Sequence, residues 1–144
     1  GLTALENLDF FSRLAGFKYN KDQLHFFLSD ANLQGDAHDK KLGSFSKGMR
    51  QKVGIAIAVS KNADVVLMDE PTSGLDPRAT DEFTRIVKQL ALQGKSILIA
   101  THDIFNAVNT GTKIGIMKAG ELLQTVDAGN ISPDALQKLY LETI

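Results

Sequence analysis

Apolar residues near the start of the chain recur every three or four positions, the spacing of one face of an α-helix. They include Leu8, Phe11 and Leu14, and this period predicts an amphipathic helix. Thr3 stands before the first of them and Glu6 follows Thr3 after three positions, which is the spacing of a capping box. We therefore expect a helix that begins directly after Thr3.

The next part of the chain predicts two more helices separated by a polar loop. Asn20 is a suitable N-cap for a helix that carries Leu24 and Leu28 on one face. Residues 34–41, QGDAHDKK, are polar and predict the loop. Ser46 can cap a third helix, whose VGIAIAVS stretch is apolar enough to be buried on several sides.

The pattern changes after residue 62 from helical periodicity to short continuous apolar runs. Residues 64–70, DVVLMDE, and residues 96–103, SILIATHD, each contain such a run and end on polar residues. These runs are typical of strands that are buried on both faces of a parallel sheet. Between them, Pro77 can start a helix and Gly94 can end it.

The last part predicts a short helix near Phe105, a strand–glycine turn–strand unit over residues 113–126, and a final helix capped by Ser132. Helices therefore come first and alternate with strands afterwards, which predicts an α/β fold with a helical front section. We divide the chain into a helical subdomain, residues 1–60, and an α/β part, residues 61–144. No internal repeat or low-complexity linker interrupts this order.

The composition is that of an ordinary globular protein. Of the 144 residues, 43% are hydrophobic and 23% are charged. The formal net charge of -1 gives no sign of a nucleic-acid partner. There is no cysteine, so disulfides and thiolate metal sites are excluded. The longest apolar stretches are much shorter than the roughly 20 residues that a transmembrane helix needs.

Polar side chains stand at the ends of both predicted buried strands. Asp69 and Glu70 end the first strand, and His102 follows the second. Open α/β sheets bind their ligands at the carboxyl ends of the strands, and two adjacent acids can serve a hydrated Mg²⁺ and a water molecule. The alternative is that the two acids are only polar residues that end a strand, and that the histidine has a structural role.

Residues 44–52, SFSKGMRQK, precede the third helix and combine small and basic residues. The hydroxyl of Ser46, the close backbone approach allowed by Gly48 and the free N–H groups of a helix start are the parts of an anion site. The alternative is a serine-capped helix with solvated lysines. Residues 71–77, PTSGLDP, can likewise be a plain turn, because the glycine and the second proline explain a loop and a helix start.

Taken in order, SFSKGMRQK, VVLMDEPTSGLDP and IATHD closely resemble the ATP-binding subunits of ABC transporters. In that family they match the signature motif, the Walker B strand with its catalytic glutamate and D-loop, and the switch histidine. The stretch LTALENLDFFSRLAGF is also similar to the start of the family's helical subdomain. The resemblance implies a partial P-loop NTPase-type parallel sheet flanked by helices, preceded by an α-helical signature subdomain.

The resemblance also implies two cofactors, ATP and Mg²⁺, and a role for each matched residue. Asp69 would coordinate Mg²⁺ through water, Glu70 would be the general base, and His102 would contact the γ-phosphate. Two ATP-binding subunits of the family pack head to tail, so that each signature motif completes the nucleotide site of its partner. The nucleotide-binding positions implied by this arrangement are Ser46, Lys47, Gly48, Ser73, Gly74 and Asp76.

The sequence departs from the family pattern in two respects. In the signature motif, Lys47 stands where glycine is usual and Met49 where glutamine is usual. Neither a G-x-x-x-x-G-K-[ST] motif nor the family's glutamine loop occurs. The GKS at residues 94–96 does not qualify, because Gln89 stands where the motif needs glycine and the tripeptide precedes a strand. The resemblance therefore implies that the chain is the C-terminal part of a longer ATPase subunit and is inactive by itself.

The missing motif has a consequence for the sheet. In the family, the strand that bears the phosphate loop lies between the strand ending at His102 and the strand at residues 113–118. A gap there would leave backbone N–H and C=O groups unpaired, at about 1–3 kcal/mol for each buried group. We therefore expect the two strands to close against each other, to pair between chains, or to leave part of the core loose.

The resemblance implies two protein partners, a second ATP-binding subunit and a membrane-spanning transporter subunit that would hold the chain at the cytoplasmic face of a membrane. No nucleic acid is expected. One alternative is an ABC-type ATPase that moves no solute, such as a chromosome- or translation-associated one; another is a domain that only docks partners. The compact helices of residues 3–31 disfavour a coiled-coil ATPase, and the presence of both Glu70 and His102 disfavours a non-catalytic domain.

Overall fold

Ten helices and strands follow one another in the computed structural model, which describes residues 1–144. The helices are α1 (Ala4–Leu14), α2 (Lys21–Asp30), α3 (Lys47–Ser60), α4 (Pro77–Leu92), α5 (Ile104–Thr110) and α6 (Pro133–Thr143). The strands are β1 (Val65–Asp69), β2 (Ser96–Ala100), β3 (Lys113–Lys118) and β4 (Glu121–Asp127). The longest helix has 16 residues, and no helix combines the length and the apolar composition that crossing a membrane requires.

The first two helices begin where the sequence predicted, and hydrogen bonds at their first residues explain why. Glu6 N donates to Thr3 Oγ1 at 3.1 Å, and Thr3 N donates to Glu6 Oε2 at 2.8 Å, which completes the capping box of α1. Asn20 and Gln23 repeat this arrangement at the start of α2. Because these bonds satisfy N–H groups that a helix start leaves unpaired, they set the first residue of each helix.

The first three helices pack together around buried side chains. Leu8 of α1, Leu28 of α2 and Val53 of α3 are almost completely buried. Two buried hydroxyls join α1 to α3, since the Oγ atoms of Ser12 and Ser60 lie 3.0 Å apart. The same core continues into α4, whose buried residues are Phe83, Ile86, Val87 and Leu90. One hydrophobic core is therefore continuous across residue 60, and the division into two domains stays a prediction.

Residues 34–41, predicted as a loop, contain a 3-10 turn, Gly35–Ala37, and a buried histidine. His38 Nε2 lies 3.0 Å from the carbonyl oxygen of Leu33, and its Nδ1 lies 2.7 Å from Nδ1 of His25. A carbonyl can only accept, so Nε2 of His38 carries the proton and Nδ1 of His38 accepts from His25. This pair attaches the loop to α2.

The strands form two separate two-stranded sheets. β1 and β2 are parallel, with Asp69 opposite Ala100 at their carboxyl ends. β3 and β4 form an antiparallel hairpin whose register shifts between Ile116 and Met117, as at a β-bulge. β2 and β3 do not pair, so the expected direct closure of these two strands is wrong. The intervening α5 packs against α4 and α6 and does not bring the two strands together; pairing between chains stays a prediction.

One face of the β1–β2 sheet is exposed, which overturns the prediction that both strands are buried on both faces. Met68, Ile97 and Ile99 pack against the hydrophobic core. On the opposite face, Leu67 is 72% exposed and Leu98 is 67% exposed. The strands carry apolar side chains on both faces, but no element of the chain packs against this second face. We refer to the surface formed by Val65, Leu67 and Leu98 as the bare face.

Candidate functional site

Glu70 follows β1 directly and has an unusual backbone conformation. Its φ of 44° lies in the left-handed region, which costs a residue other than glycine about 1–3 kcal/mol. The N–H of Glu70 donates to the carbonyl of Ala100 at 2.8 Å, which adds one more bond to the pairing of β1 with β2. This bond holds Glu70 at the carboxyl edge of the parallel sheet, where such folds bind ligands.

The carboxylate of Glu70 is bound by the segment that follows β2. Its Oε1 accepts from the backbone N of His102 at 3.0 Å and lies 2.8 Å from His102 Nδ1. Its Oε2 accepts from Thr101 Oγ1 at the longer distance of 3.4 Å. The structure therefore brings together the two residues that the sequence analysis named as catalytic, which stand at the ends of neighbouring strands.

This contact changes the proton affinity of both side chains. The hydrogen bond from His102, more than the charge of the imidazolium, lowers the pKa of the Glu70 carboxyl below its ordinary value. The hydrogen bond to Glu70, with the attraction of its negative charge, raises the pKa of the His102 imidazole. Both shifts favour the ionised pair, a carboxylate beside an imidazolium.

Asp69 ends β1 on the same side of the strand as Val65 and Leu67, because side chains alternate along a strand. Its side chain is exposed. No group of three or more potential metal ligands is present in the structure. Mg²⁺ is usually held by one or two carboxylates, several waters and the phosphates of a substrate. A single exposed carboxylate fits Mg²⁺ that arrives with a nucleotide, and does not fit a metal held by protein ligands alone.

The basic segment around Ser46 forms the start of α3, as predicted. Ser46 is the N-cap, and its Oγ accepts from Met49 N at 3.2 Å. The first turn of α3 contains no acidic residue. Of the three cations here, only Lys52 has a carboxylate partner, Glu82 at 2.9 Å. Arg50 donates instead to the carbonyl of Phe45 at 2.6 Å. This helix start is therefore strongly positive.

The signature segment, residues 44–52, lies against the loop at residues 73–76 of the same chain. The ammonium group of Lys47 donates to the carbonyl oxygen of Ser73. A Cβ at Gly48 would lie 3.6 Å from Leu75 Cδ2, so this glycine packs closely on the loop. Gly74 has a φ of 74°, which favours glycine.

Asp76 ends this loop and caps α4. Its Oδ1 accepts from Ala79 N at 2.8 Å. The candidate residues thus form two groups: Asp69, Glu70 and His102 at the sheet edge, and the signature segment with the loop at residues 73–76. No side-chain hydrogen bond joins one group to the other.

Comparison with known proteins assigns this arrangement to a family. A family described as "AAA domain, putative AbiEii toxin, Type IV TA system" matches residues 5–105. The ABC transporter ATP-binding protein NatA of Bacillus subtilis (strain 168) is 34% identical over 125 residues, which are 85% of this chain and 50% of that protein. The chain belongs to the ATP-binding cassette (ABC) family. The daunorubicin/doxorubicin resistance ATP-binding protein DrrA of Streptomyces peucetius is 32% identical over 132 residues, 91% of this chain and 40% of that protein.

Solved structures of ABC cassettes confirm the P-loop NTPase fold. A dimeric ATP-binding cassette in a post-hydrolysis state, bound to ADP and Pi, matches with a TM-score of 0.74 and 30% identity over 88% of this chain and 57% of that chain. The ADP conformation of a cassette of an ABC transporter reaches a TM-score of 0.78 at 20% identity, over 98% of this chain and 59% of that chain. The chain spans about half the length of the curated relatives it matches.

The structure of this ABC chain adds residues that the sequence analysis did not single out. Thr101 Oγ1 donates to Glu70 Oε2 and accepts from Asp103 N at 3.0 Å. It therefore helps to fix both the Glu70 carboxylate and the backbone that follows His102. Its position between a strand and the histidine was a signal that could have found it. The packing of Leu75 on Gly48 and the hydrogen bond from Lys47 to the carbonyl of Ser73 could not have been predicted, because both depend on how segments distant in the sequence pack together.

Proposed function

We propose that this chain is the C-terminal part of an ATP-hydrolysing subunit of an ABC transporter. The observation that carries the proposal is the contact between Glu70 and His102 at the ends of two adjacent parallel strands, with Asp69 next to them. A carboxylate, an imidazole and a second carboxylate at this edge can serve an attacking water, a phosphate and Mg²⁺. Membership of the ABC family supports the same assignment.

Glu70 acts as the general base. The hydrogen bond from His102 lowers its pKa, which keeps the carboxylate ionised while making it a weaker base. Oε1 already receives two hydrogen bonds from His102, whereas the one donor to Oε2 is Thr101 at 3.4 Å. Oε2 is therefore the oxygen that takes the proton of the attacking water, as the water oxygen bonds to the γ-phosphorus and the bond to ADP breaks.

His102 and Asp69 act on the phosphate and its metal. The side chain of His102 is 81% exposed. With Nδ1 donating to Glu70, its Nε2 can donate to the γ-phosphate when the ring is an imidazolium. Asp69 would hold Mg²⁺ through water. When bound, Mg²⁺ offsets the negative charge of the phosphates.

The signature segment acts on the ATP of a second subunit. Ser46, Lys47 and Gly48 lie at a positive helix start without acidic residues in its first turn, and such a helix start favours a phosphate. No side-chain hydrogen bond joins this segment to Glu70 or His102 of its own chain. The head-to-tail dimer implied by the family resemblance gives it the site of the partner instead, with Ser73, Gly74 and Asp76 communicating between the two subunits. The dimeric solved relative supports such an assembly.

We infer that hydrolysis drives solute transport through a membrane-spanning subunit. The relatives named as ABC transporter ATP-binding proteins support this coupling. The chain itself has no helix suited to crossing a membrane. The membrane-spanning subunit then holds it at the cytoplasmic face.

The experiment that tests this proposal mixes two inactive variants of the longer protein that contains this chain. Ser46→Arg places a bulky side chain in the signature segment and should abolish hydrolysis in the partner's site. Glu70→Gln removes the base of the variant subunit's own site. In a dimer of one Ser46→Arg and one Glu70→Gln subunit, one of the two sites combines an intact base with an intact signature segment.

Mixing the variants in equal amounts should therefore restore ATPase activity. Half of the dimers are then mixed, each with one working site, so the mixture should hold about a quarter of the wild-type sites. The control is the double variant, which carries Ser46→Arg and Glu70→Gln in the same subunit. Its dimers contain no intact site, so it should stay inactive. If the two single variants stay inactive together, the assignment of Ser46 to the partner's site is wrong.

A further inference from the structure

A hydrogen bond between two imidazoles joins α2 to the loop at residues 34–41, away from the candidate functional site. His38 is 2% exposed, and its Nε2 lies 3.0 Å from the carbonyl oxygen of Leu33. Its Nδ1 lies 2.7 Å from Nδ1 of His25, which is half-buried on α2. Both ring nitrogens of His38 therefore have a partner. The contact with His25 is the only side-chain hydrogen bond between the loop and α2.

A hydrogen bond between two ring nitrogens needs one proton and one lone pair, so this contact depends on how many protons the two rings carry. With both rings neutral, His25 donates from Nδ1 and His38 accepts. One added proton keeps the bond and makes it charge-assisted, because one ring still offers a lone pair at Nδ1. A second added proton places an N–H on each Nδ1, so neither ring can accept and the bond is lost.

No carboxylate compensates the charge of two protonated rings. Neither imidazole has a hydrogen bond or an ion pair with an acidic side chain. The carboxylate of Asp36 is already bound to Lys40 at 2.7 Å, and Arg50 and Lys52 of α3 have partners of their own. The other charged residues beside the pair are Glu6 on α1, Lys21 and Asp22 on α2, and Asp39 and Lys41 in the loop. Because His38 is buried, an uncompensated charge on its ring is unfavourable.

The loop that His38 anchors also holds the start of α1. Leu5 N donates to the carbonyl of His38 at 3.0 Å, and Ala4 N donates to the carbonyl of Lys40 at 3.1 Å. Residues 42–44 then lead directly to Phe45, which is buried in front of α3. Loss of the histidine contact would therefore act on α1 and on the entry to α3 as well as on the loop.

We propose that the contact between His25 and His38 is a pH-sensitive switch among the first three helices. It holds the loop against α2 while the two rings share no more than one added proton. It opens in acid, when both rings are protonated, and residues 34–41 then separate from α2 and loosen their backbone bonds to α1. This inference does not rest on the proposed function, because it needs neither ATP nor a second subunit.

Amide hydrogen exchange of the longer protein tests the switch at about pH 8 and about pH 5, the range in which imidazole changes its charge. Each rate is divided by that of an unstructured peptide at the same pH, which removes the direct effect of pH on exchange. We expect the protection of the amides of Leu5, His38 and Lys40 to fall by about tenfold or more in acid, the worth of a hydrogen bond to a charged group. The amides of α4 should keep their protection.

Two substitutions of His25 separate the switch from a general effect of acid. His25→Asn places an amide near the position of Nδ1; the amide can donate or accept, so it can bind His38 in either protonation state. Asparagine and histidine also have similar helix propensities. This variant should keep the loop protected at both pH values. His25→Leu offers no partner and should show the low protection of the acid state at both.

Asp22→Asn is the matched control, because it removes a titratable side chain three positions before His25 on the same exposed part of α2. It should keep the wild-type response to acid. The hydrogen bond from Lys40 lowers the pKa of Asp36 below its ordinary value of 3.8, so that carboxyl does not titrate in the tested range.

Two results would overturn the switch: equal loop protection of the wild-type protein at both pH values, or a full loss of protection in acid by His25→Asn. If His25→Leu does not fold, the comparison of the wild-type protein with His25→Asn still decides.

Discussion

His102 donates to one oxygen of Glu70 through its backbone N, at 3.0 Å, and places Nδ1 2.8 Å from the same oxygen. The two residues are separated by 32 positions in the sequence. The parallel pairing of β1 with β2 sets their distance, because it places the last residues of both strands side by side. A shift of one residue in this register would separate them.

Replacing Glu70 by Gln should reduce ATP turnover of the longer protein by about 10²–10⁴, the usual contribution of a general base. ATP binding should stay unchanged, because the amide is nearly the same size and can still accept from His102. Steady-state hydrolysis and nucleotide binding measure the two effects. Glu121→Gln, on the exposed hairpin, is the matched control. Near-normal turnover in Glu70→Gln would move the role of the base to another residue, with His102 the next candidate.

The His102 imidazole should titrate above its ordinary value of 6.5, which NMR of its ring protons can follow. The raised pKa of His102 means that its part of the pairing is present at low pH and lost as pH rises through that pKa. The lowered pKa of Glu70 means that its part is lost as pH falls through that value. The ion pair therefore exists between the lowered pKa of Glu70 and the raised pKa of His102. Glu70→Gln should return the His102 midpoint toward 6.5; an unchanged midpoint would show that the carboxylate is not the cause.

The bare face predicts opposite effects for neighbouring residues of β1. Leu67→Thr should change the free energy of unfolding of the chain by no more than about 0.5 kcal/mol, because Leu67 is 72% exposed. Met68→Thr should cost about 1–3 kcal/mol, because Met68 packs against the core. Urea denaturation compares the two. A cost for Leu67→Thr as large as that for Met68→Thr would mean that the bare face is covered in solution by a second copy of the chain, which sedimentation can detect.

The 144-residue chain by itself should bind Mg-ATP weakly and should not hydrolyse it. It contains no G-x-x-x-x-G-K-[ST] motif, and the backbone amides and lysine of that motif supply most phosphate recognition in P-loop proteins. Isothermal titration with Mg-ATP measures the affinity, with Mg-ADP as a reference. A sub-micromolar dissociation constant would show that the sheet edge and the signature segment bind the nucleotide without it.

Local signals in the sequence determined where the helices begin. The caps of Thr3, Asn20, Ser46 and Asp76 each involve a hydrogen bond to a residue three positions away, so a short stretch contains everything that the helix start needs. The acids and the histidine at the strand ends could also be located from a short stretch, because they stand where the apolar runs stop. For this reason the order of elements and the identity of the candidate residues could be predicted.

Only the tertiary structure decided which of these residues meet. The contact between Glu70 and His102 depends on the register of β1 and β2, and the contact between Lys47 and Ser73 depends on how α3 packs beside the loop. The exposure of Leu67 and Leu98 was decided at the same level. An apolar run indicates that a strand is suited to burial. Whether the strand is buried depends on a second element that covers it, and only the tertiary packing decides whether such an element is present.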